Sequence, residues 1–289
     1  MELYANHWKD YELIDAGGKE KLERWGDIIL RRPDPTAIWP AADLKQWKKP
    51  DGYYHRSSKG GGEWQFFKTL PEFWTVSYGD LTFKVSPTGF KHTGLFPEQA
   101  ANWDYMMEKI SSANRDIKVL NLFAYTGAAT MAASLGGASE VVHVDASKGM
   151  VNWAKENMVL SHLEDHKIRF IVDDVIKFVE REERRGNRYD VIIMDPPSYG
   201  RGTNKEVWQL EDKLYELIVK CRAILSENPL FFLVNTYTTG FSSLALANIM
   251  KETLADSFPK GKLTYGQLGL PISSRNMILP CGIYGRYEN

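Results

Sequence analysis

Four loops in the second half of the chain carry residues that could bind or orient a small molecule. Gly127 ends the run NLFAYTG, and Asp145, Asp174 and Asp195 each follow an apolar run typical of a buried strand. A glycine lets a ligand approach the backbone closely, and a carboxylate accepts hydrogen bonds from hydroxyl or amino groups. A single Asp at a strand end is more often a helix N-cap. Four such features at successive strands make a strong signal for a ligand site.

The glycine loop argues against a dinucleotide. Gly127 is the only glycine of NLFAYTG, whereas a pyrophosphate is normally cradled by the glycines of G-x-G-x-x-G. NAD and FAD are therefore disfavoured. Asp145 lies 18 positions after Gly127, where an acidic residue can accept hydrogen bonds from ribose hydroxyls. The two loops together favour a ligand that contains a ribose.

Two prolines follow Asp195, and Ser198 and Tyr199 come next. Proline fixes φ and lacks an N–H group, so Pro196 and Pro197 leave their carbonyl oxygens as the polar groups of this turn. A carboxylate beside outward-facing carbonyls forms a set of hydrogen-bond acceptors. Such a set suits an amine.

These loops need a sheet that brings them to one edge. The expected strands are Ile117–Phe123, Glu140–Val144, Ile168–Val172, Tyr189–Met194 and Leu230–Val234, and the expected helices include Ser147–Leu160, Val175–Arg184, Gln209–Leu225 and Ser242–Ser257. Strands that alternate with helices predict a mostly parallel sheet with helices on both faces. The tail predicts a closing hairpin, Leu263–Gly269 and Met277–Tyr287, whose last strand is antiparallel to the sheet.

The first 86 residues have a different character. Six of the nine tryptophans lie within the first 74 residues, between turn-forming Pro, Gly and Asp clusters. Gly79-Asp80 separates two short aromatic runs and indicates a hairpin. We therefore predict two domains, a small β-rich N-terminal module over residues 1–86 and an α/β domain over residues 87–289.

The composition limits which classes of partner the protein can have. The chain has 289 residues, with 36 Lys and Arg against 37 Asp and Glu. No overall basic charge attracts nucleic acid, so RNA binding would depend on local patches. The two cysteines and six histidines show no metal-ligand spacing, and no apolar run reaches the length of a membrane span. We expect a cytoplasmic protein with no metal and no membrane partner.

Four sequence motifs identify a family resemblance. The runs NLFAYTG, VDASKGMVNWAKENM, DDVIKF and DPPSYGRG resemble the class I methyltransferases related to bacterial large-subunit (23S) rRNA methyltransferases. The hairpin at Gly79 and the motif TGLFPEQ also resemble that family, and the likeness spans roughly residues 73–240. It implies a Rossmann-like methyltransferase sheet, S-adenosyl-L-methionine as the cofactor, and RNA, in particular rRNA, as the substrate.

The resemblance also implies roles for individual residues. Gly127 and its loop would cradle the cofactor, Asp145 would bind its ribose and Asp174 its adenine, and Asp195 would face the methyl acceptor. The expected cofactor-binding residues are Phe96, Gln99, Phe123, Tyr125, Gly127, Asp145, Ser147, Asp174, Val175 and Asp195. The expected catalytic residues are Asp195, Pro196 and Tyr199.

The chemistry expected of such an enzyme is simple. The sulfonium of the cofactor activates the methyl group, so the protein must align the acceptor and, where needed, accept a proton. Asp195 and the Pro196 carbonyl could hold an amine. Relatives of this kind usually carry an aromatic residue directly after the two prolines, but here Ser198 stands there and Tyr199 follows. Cys221 lies in a predicted amphipathic helix and Cys281 on the closing hairpin, so we predict no covalent cysteine mechanism.

Two alternatives remain open at this point. One is a methyltransferase of a protein or a small molecule, which the balanced charge favours. The other is an RNA-binding relative that has lost catalysis. The sequence also leaves the oligomeric state open, since an exposed edge in residues 1–86 could pair with a second copy or cover the active site.

Overall fold

The structure is a computed structural model that describes residues 1–57, 61–89, 91–201 and 207–289. The chain divides into two compact units. The α/β unit comprises Met1–Leu3, Asn102–Leu268 and Gly282–Asn289, and the β unit comprises Tyr4–Ala101 and Gly269–Cys281. Gly202, in the DPPSYGRG motif, lies outside the described residues.

The secondary structure contains the predicted elements and several others. The helices are α1 (Ala100–Ser111), α2 (Ala128–Leu135), α3 (Lys148–Leu160), α4 (Val175–Arg184), α5 (Leu210–Ala223) and α6 (Ser243–Leu254). The strands are β1 (Glu2–Tyr4), β2 (Tyr11–Gly17), β3 (Glu20–Trp25), β4 (Ile28–Pro33), β5 (Gly52–Arg56), β6 (Gly62–Phe66), β7 (Trp74–Tyr78), β8 (Leu81–Val85), β9 (Lys118–Leu122), β10 (Glu140–Asp145), β11 (Ile168–Val172), β12 (Val191–Met194), β13 (Tyr199–Arg201), β14 (Val207–Gln209), β15 (Phe231–Thr236), β16 (Lys262–Ile272) and β17 (Met277–Glu288). Short 3₁₀ turns lie at Lys45–Lys48 and Pro97–Gln99.

The α/β unit contains the predicted parallel sheet. Its strand order is β11-β10-β9-β12-β15-β17-β16. The pairs β10–β11, β9–β10, β9–β12 and β12–β15 are parallel, and β17 is antiparallel to β15. The order reverses at β9, as in a doubly wound fold, so the loops after the parallel strands meet at one edge. The fold class predicted from the sequence is confirmed.

Strand alternation explains which helices cover which face of this sheet. Leu120, Ile192 and Phe232 belong to the apolar core formed with α4, α5 and α6. Their neighbours along each strand point to the opposite face. There the Asn121 amide donates to Thr130 Oγ1 of α2 (3.0 Å), and the rings of Phe231 and Tyr105 of α1 lie 5.1 Å apart.

Local sequence fixes where the helices of this unit begin. Ser147, Asp174 and Ser242 are N-caps, and their side chains accept from the backbone N–H of Met150, Lys177 and Ala245. Such a bond satisfies one of the free N–H groups at a helix start. Helices α3, α4 and α6 begin directly after these residues, within a residue or so of the starts predicted from the sequence.

The β unit is built mainly from strands. β2, β3 and β4 form an antiparallel meander, β5 runs parallel to β4, and β6 is antiparallel to β5 at the sheet edge. β7 and β8 form the predicted hairpin, with Gly79 at φ +56° in its turn. Trp25, Leu30 and Phe83 are fully buried in this unit, whereas Phe66 on the edge strand is 47% exposed. The β-rich N-terminal part is confirmed.

A buried ion pair lies inside the β unit. Arg32 donates from Nε and Nη2 to the two carboxylate oxygens of Glu23, at 2.6 and 2.8 Å. Tyr11 donates its hydroxyl to Glu23 at 2.8 Å, and Lys21 Nζ lies 3.2 Å from the same carboxylate. Burial raises the pKa of Glu23, but the charges of Arg32 and Lys21 outweigh it and lower the pKa to about 2.

The predicted domain boundary at residue 86 differs from the limits of the compact units. Residues 87–101 and Gly269–Cys281 cluster with the N-terminal strands, and Met1–Leu3 clusters with the α/β unit. The boundary at residue 86 stays a prediction. Among the described residues, no helix is both long and apolar enough to span a membrane.

Candidate active site

The loop after β9 has an unusual backbone. Phe123, Tyr125 and Gly127 all have positive φ, at 53°, 50° and 84°. Side chains rarely adopt this region, so the two aromatic residues must be held there by their surroundings. The N–H of Ala124 donates to the Val144 carbonyl (3.0 Å), which ties the loop to the end of β10. The loop is therefore held in a fixed, strained shape.

Gly127 is required by space as well as by conformation. A Cβ atom at this position would lie 2.8 Å from the Ala154 Cβ of α3, closer than carbon atoms tolerate. Because the residue is also the N-cap of α2, any side chain would push the loop away from α3. The glycine thus lets the loop pack against the middle of α3 while its backbone lies at the start of α2, where free N–H groups gather.

Asp145 connects this loop to the next one. One carboxylate oxygen accepts from the Tyr125 N–H (2.9 Å) and the other from the Ser147 N–H (2.8 Å). Burial raises the pKa of Asp145, although the two N–H groups act to lower it. Each oxygen has a second lone pair, so the carboxylate can still accept from two hydroxyls. The residue is fixed in orientation and retains acceptor capacity for a diol.

The third loop is mostly engaged in holding its own helix. Asp174 accepts from the Lys177 N–H (2.9 Å), and Asp173 accepts from the Asp174 N–H (2.8 Å) and from Arg181. The N–H of Asp173 donates to the Asp145 carbonyl (3.1 Å), which brings this loop to the second one. Val175 is buried, and as the first residue of α4 it has an N–H without an intrahelical acceptor.

The turn after β12 is partly open to solvent. Asp195 is half-buried and Pro196 is buried, whereas Pro197, Ser198 and Tyr199 are exposed. Asp195 comes one residue after Met194, whose neighbours across the sheet are Leu122 and Val234. The turn is therefore at the same sheet edge as the loops that contain Gly127 and Asp145.

Two residues that the sequence analysis did not select hold this turn. Trp208 of β14 donates its indole N–H to the Pro197 carbonyl (2.6 Å), and its ring lies 4.9 Å from the Phe123 ring. Thr238, in the loop after β15, donates to Ser198 Oγ (2.8 Å). The β13–β14 hairpin that carries Trp208 was not predicted. Its only sequence signal is an isolated aromatic residue just before the α5 pattern.

Phe96 and Gln99 belong to the β unit. Gln99 is buried in the 3₁₀ turn, and its N–H donates to the Phe96 carbonyl (3.1 Å). The Phe96 ring is half-buried and lies 5.5 Å from the His92 ring. The contact of Phe96 and Gln99 with the cofactor stays a prediction.

The surroundings of both thiols disfavour the thiolate form that a nucleophile needs. Cys221 is buried in α5, as predicted, and burial raises its pKa. Cys281 lies in the β unit, where desolvation likewise raises its pKa. The loop after β15, residues 237–240, contains no cysteine. No group of three or more His, Cys, Asp or Glu in the described ranges could hold a metal ion.

A comparison with known families decides the chemistry. A family model of S-adenosylmethionine-dependent methyltransferases matches residues 36–229 of the chain. The chain belongs to this family. The protein is therefore an S-adenosylmethionine-dependent methyltransferase, and the resemblance inferred from its motifs is confirmed.

Individual relatives agree with this assignment. A ribosomal RNA large subunit methyltransferase K/L from Shewanella loihica is 32% identical over 270 residues, which cover 88% of this chain and 35% of the relative. A relative with the same name from Shewanella frigidimarina is 31% identical over 208 residues, covering 71% of this chain and 27% of its own length. The methyltransferase thus spans about a third or less of these relatives.

A solved structure matches this chain over its full given length. The SAM-dependent methyltransferase from Agrobacterium tumefaciens is 38% identical, with a TM-score of 0.94 over 100% of this chain and 93% of that one.

The site of the methyltransferase also fits S-adenosylmethionine on structural grounds. Gly127 leaves no room for a side chain, so the cofactor can approach the loop backbone. Asp145 is oriented by two backbone N–H groups and can accept from a ribose diol. S-adenosylmethionine contains a ribose but no pyrophosphate, which agrees with a loop that has one glycine rather than three.

Proposed function

We propose that this methyltransferase methylates RNA and that ribosomal RNA is its substrate. The observation that carries the proposal is the solvent-facing turn at Asp195, in a chain whose relatives are named ribosomal RNA methyltransferases. The turn offers a carboxylate, carbonyl oxygens and the exposed ring of Tyr199 at one sheet edge. RNA bases that project from a single strand are commonly bound by such polar groups together with stacking aromatics.

The proposed cofactor contacts follow from the three loops. The backbone of Phe123, Tyr125 and Gly127 would cradle S-adenosylmethionine, and Asp145 would accept from both ribose hydroxyls. The Ser147 N–H orients that carboxylate and so acts through it.

The adenine would lie at the third loop. Asp174 could accept from its amino group with the lone pairs that the capping bond leaves, while the Val175 N–H donates to the ring. Phe96 and Gln99 are proposed to cover the methionine end.

The proposed acceptor contacts lie at the turn after β12. The sulfonium supplies an activated methyl group, so the protein needs to hold the acceptor in line with it. Asp195 would accept a hydrogen bond from the acceptor nitrogen and, as the new N–C bond forms, stabilise the positive charge that develops there. The Pro196 carbonyl would be a second acceptor, and Tyr199 would stack against the base. No cysteine takes part.

The biological setting is proposed on the same basis. A ribosomal RNA substrate places the enzyme in the cytoplasm, where it would bind RNA and need no metal or membrane. The edge strand β6, with its exposed Phe66, is the part of the β unit where a second copy could pair.

Transfer of radiolabelled methyl from S-adenosylmethionine to fractionated extract of a strain lacking the gene tests the function. Label in ribosomal RNA, which disappears with the Asp195→Ala variant, is the expected result. Label that enters only protein or small molecules would contradict the RNA assignment and leave the cofactor assignment intact. Absence of transfer, with cofactor binding retained, would favour a non-catalytic RNA-binding role.

A further inference from the structure

A row of buried polar side chains crosses the α/β unit between α1 and the sheet. Arg286 of β17 donates from Nε and Nη2 to Asn102 Oδ1, at 3.1 and 2.6 Å. Asn102 of α1 donates from Nδ2 to Asn235 Oδ1 of β15, at 2.8 Å. The three residues are 8%, 1% and 3% exposed. Burying polar groups costs free energy unless they are hydrogen-bonded, so a buried row of three polar side chains suggests a function.

The Arg286 guanidinium is held in place by aromatic rings. Its central carbon lies 4.0 Å from the centre of the Tyr105 ring and 5.0 Å from that of the Tyr284 ring. Burial lowers the pKa of Arg286, but the group stays protonated at any ordinary pH because an Arg guanidinium does not deprotonate in proteins. The orientation of the cation is therefore fixed.

This cation determines the orientation of both amides. A guanidinium only donates hydrogen bonds, so Asn102 must turn its oxygen toward Arg286. The Asn102 nitrogen then faces Asn235 and donates to its oxygen. Asn235 is left with its own amide nitrogen as the outward group. Arg286 thus fixes the direction of the hydrogen bonds made by both neutral amides, up to Asn235 near the end of β15.

Asn235 lies beside the acceptor turn. Val234 pairs with Met194 in the parallel β12–β15 register, so Asn235 occupies the next position, level with Asp195. Val234 faces the core on the α4–α6 side, so strand alternation turns Asn235 toward the opposite face, where it contacts Asn102 of α1. Asp195 directly follows the last residue of β12 at the same sheet edge. Neighbouring strands lie about 4.8 Å apart, which places a donor within reach of what Asp195 binds.

The nitrogen of the Asn235 amide has no protein partner within the described ranges. Its side chain makes one hydrogen bond there, through its oxygen to Asn102. Asn235 is 3% exposed as a whole residue, but its amide nitrogen is not one of the fully buried side-chain atoms that lack a partner in the described residues. This donor therefore keeps some access to solvent, and a ligand atom can reach it.

We propose that Asn235 binds the methyl acceptor, donating a hydrogen bond to a carbonyl oxygen or ring nitrogen next to the methylated nitrogen. Asp195 accepts a hydrogen bond and Asn235 donates one. Together they match a methylated molecule that has a hydrogen-bond donor next to a hydrogen-bond acceptor. Nucleobases have such an edge, whereas a lysine amine or a carboxylate does not. Arg286 and Asn102 are positioning residues for Asn235. The inference rests on the proposed function and names the part of RNA that the site reads.

Two isosteric substitutions test the proposal. Asn235→Asp keeps an oxygen for Asn102 but removes the donor. Asn102→Asp keeps the bond to Arg286 but cannot donate, so Asn235 should rotate and present its oxygen to the acceptor. Each variant should lower kcat/KM for ribosomal RNA about 10- to 100-fold, mainly through KM, because a donor is lost or reversed. Affinity for S-adenosylhomocysteine, measured by calorimetry, should stay the same.

Asn248→Asp is the matched control, since it makes the same change at an exposed position of α6. Wild-type kcat and KM are expected for it. If Asn235→Asp behaved like this control on RNA that the wild type labels, the inference would be overturned while the proposed function stood. Failure of the wild type to label RNA would overturn the proposed function and the nucleobase part of the inference with it.

Hydrogen exchange of the Asn235 side chain tests the orientation of this hydrogen-bonded row in the absence of a methyl acceptor. In ¹⁵N-labelled protein the Asn235 amide protons should exchange at least about tenfold more slowly in Asn102→Asp than in wild type, because they gain a charged acceptor. Unchanged exchange would overturn the proposed orientation of the row, whatever the substrate is.

Discussion

The two units contain buried arginines that use the same donors in different ways. In the β unit, Arg32 gives Nε and Nη2 to the two oxygens of Glu23. In the α/β unit, Arg286 gives the same two donors to the single amide oxygen of Asn102. The first arrangement joins two opposite charges inside one meander. The second ends at Asn235, next to the acceptor turn.

The difference teaches what a buried cation can do. A buried cation paired with a carboxylate forms an ion pair. Removal of one partner leaves the other charge buried and unpaired, so the main effect is on the stability of the fold. Bonded to a neutral amide, the cation orients that amide and the next one, so the consequence extends to a distant atom. We expect the Glu23–Arg32 pair to affect folding and the Arg286 row to affect substrate binding.

The largest effect on folding is expected from Glu23→Gln. The substitution leaves Arg32 buried and Lys21 partly buried beside a neutral side chain, which should lower the free energy of unfolding by about 3–5 kcal/mol at pH 7. Below the temperature at which it unfolds, the variant should keep normal affinity for S-adenosylhomocysteine. Urea unfolding monitored by circular dichroism measures the first quantity. Wild-type stability of the variant would show that the pair is dispensable.

The same pair predicts a dependence on pH. The pKa of Glu23 is about 2 in the folded protein against 4.5 for an ordinary glutamate. A depressed pKa stabilises the fold above the ordinary value, and this contribution is lost as the pH falls from about 4.5 to about 2. The difference in unfolding free energy between wild type and Glu23→Gln should therefore shrink across that window.

Asp195→Asn should have the largest effect on turnover. An amide cannot stabilise a developing positive charge and presents a donor where an acceptor is needed, so kcat should fall by about 10²–10³-fold. Stability and cofactor affinity should change little, which is the reverse of the expectation for Glu23→Gln. Full turnover in this variant would remove Asp195 from the mechanism.

Asp145→Asn should weaken binding of the cofactor rather than binding of the methyl acceptor. The amide loses the charge and turns an N–H toward a backbone N–H, so the dissociation constant of S-adenosylmethionine should rise about 10- to 100-fold. Wild-type enzyme at a hundred times its dissociation constant should gain about 2.7 kcal/mol in a thermal-shift assay, and the variant much less at the same concentration.

Low pH should weaken the same contact between Asp145 and the cofactor ribose. The pKa of Asp145 is raised, and the ionised form is the one that accepts from the ribose, so wild-type affinity should decline as the pH falls toward that pKa. The Asn variant should lack this decline. Equal pH profiles for the two proteins would place the titrating group elsewhere.

Arg286→Lys is expected to have a smaller effect that still distinguishes the two units. Lysine keeps the charge but has no planar fork, so it cannot give two parallel bonds to Asn102. The unfolding free energy should fall by about 1–2 kcal/mol, less than for Glu23→Gln. The KM for RNA should nevertheless rise, which Glu23→Gln should not cause. An equal change of KM in both variants would contradict the contrast between the units.

Trp208→Phe should have the smallest effect. It keeps the aromatic contact with Phe123 but loses the hydrogen bond to the Pro197 carbonyl. A neutral hydrogen bond contributes about 1 kcal/mol, so kcat should fall about fivefold. Trp208→Ala, which also removes the ring, should cost more. Wild-type kinetics in Trp208→Phe would mean that the indole N–H does not hold the turn.

The sequence predicted the α/β unit well because its pattern is local. Each parallel strand is a short apolar run, each N-cap is a single Ser or Asp, and the loops that carry Gly127, Asp145 and Asp195 follow directly. These residues need no distant contact to be recognised. In the fold, the carboxyl ends of parallel strands then bring them to one edge.

The rest of the site depends on distant contacts. Asn102 and Arg286 are 184 residues apart in sequence, and Asn102 and Asn235 are 133 apart. Neither α1 nor the β13–β14 hairpin was predicted, so the sequence analysis selected neither Asn102 nor Trp208. In the β unit, β5 is parallel to β4 and residues 269–281 join from the far end of the chain, which no local pattern indicates.

The division of the chain has a consequence for synthesis on the ribosome. The β unit includes Gly269–Cys281, and within it β2 pairs with Ile272 through Leu13. Leu13 is synthesised about 260 codons before its partner Ile272, so β2 has an open edge until residue 272 has been made. The order of translation therefore makes the α/β unit, most of which lies between the two parts, the first that can be nearly finished.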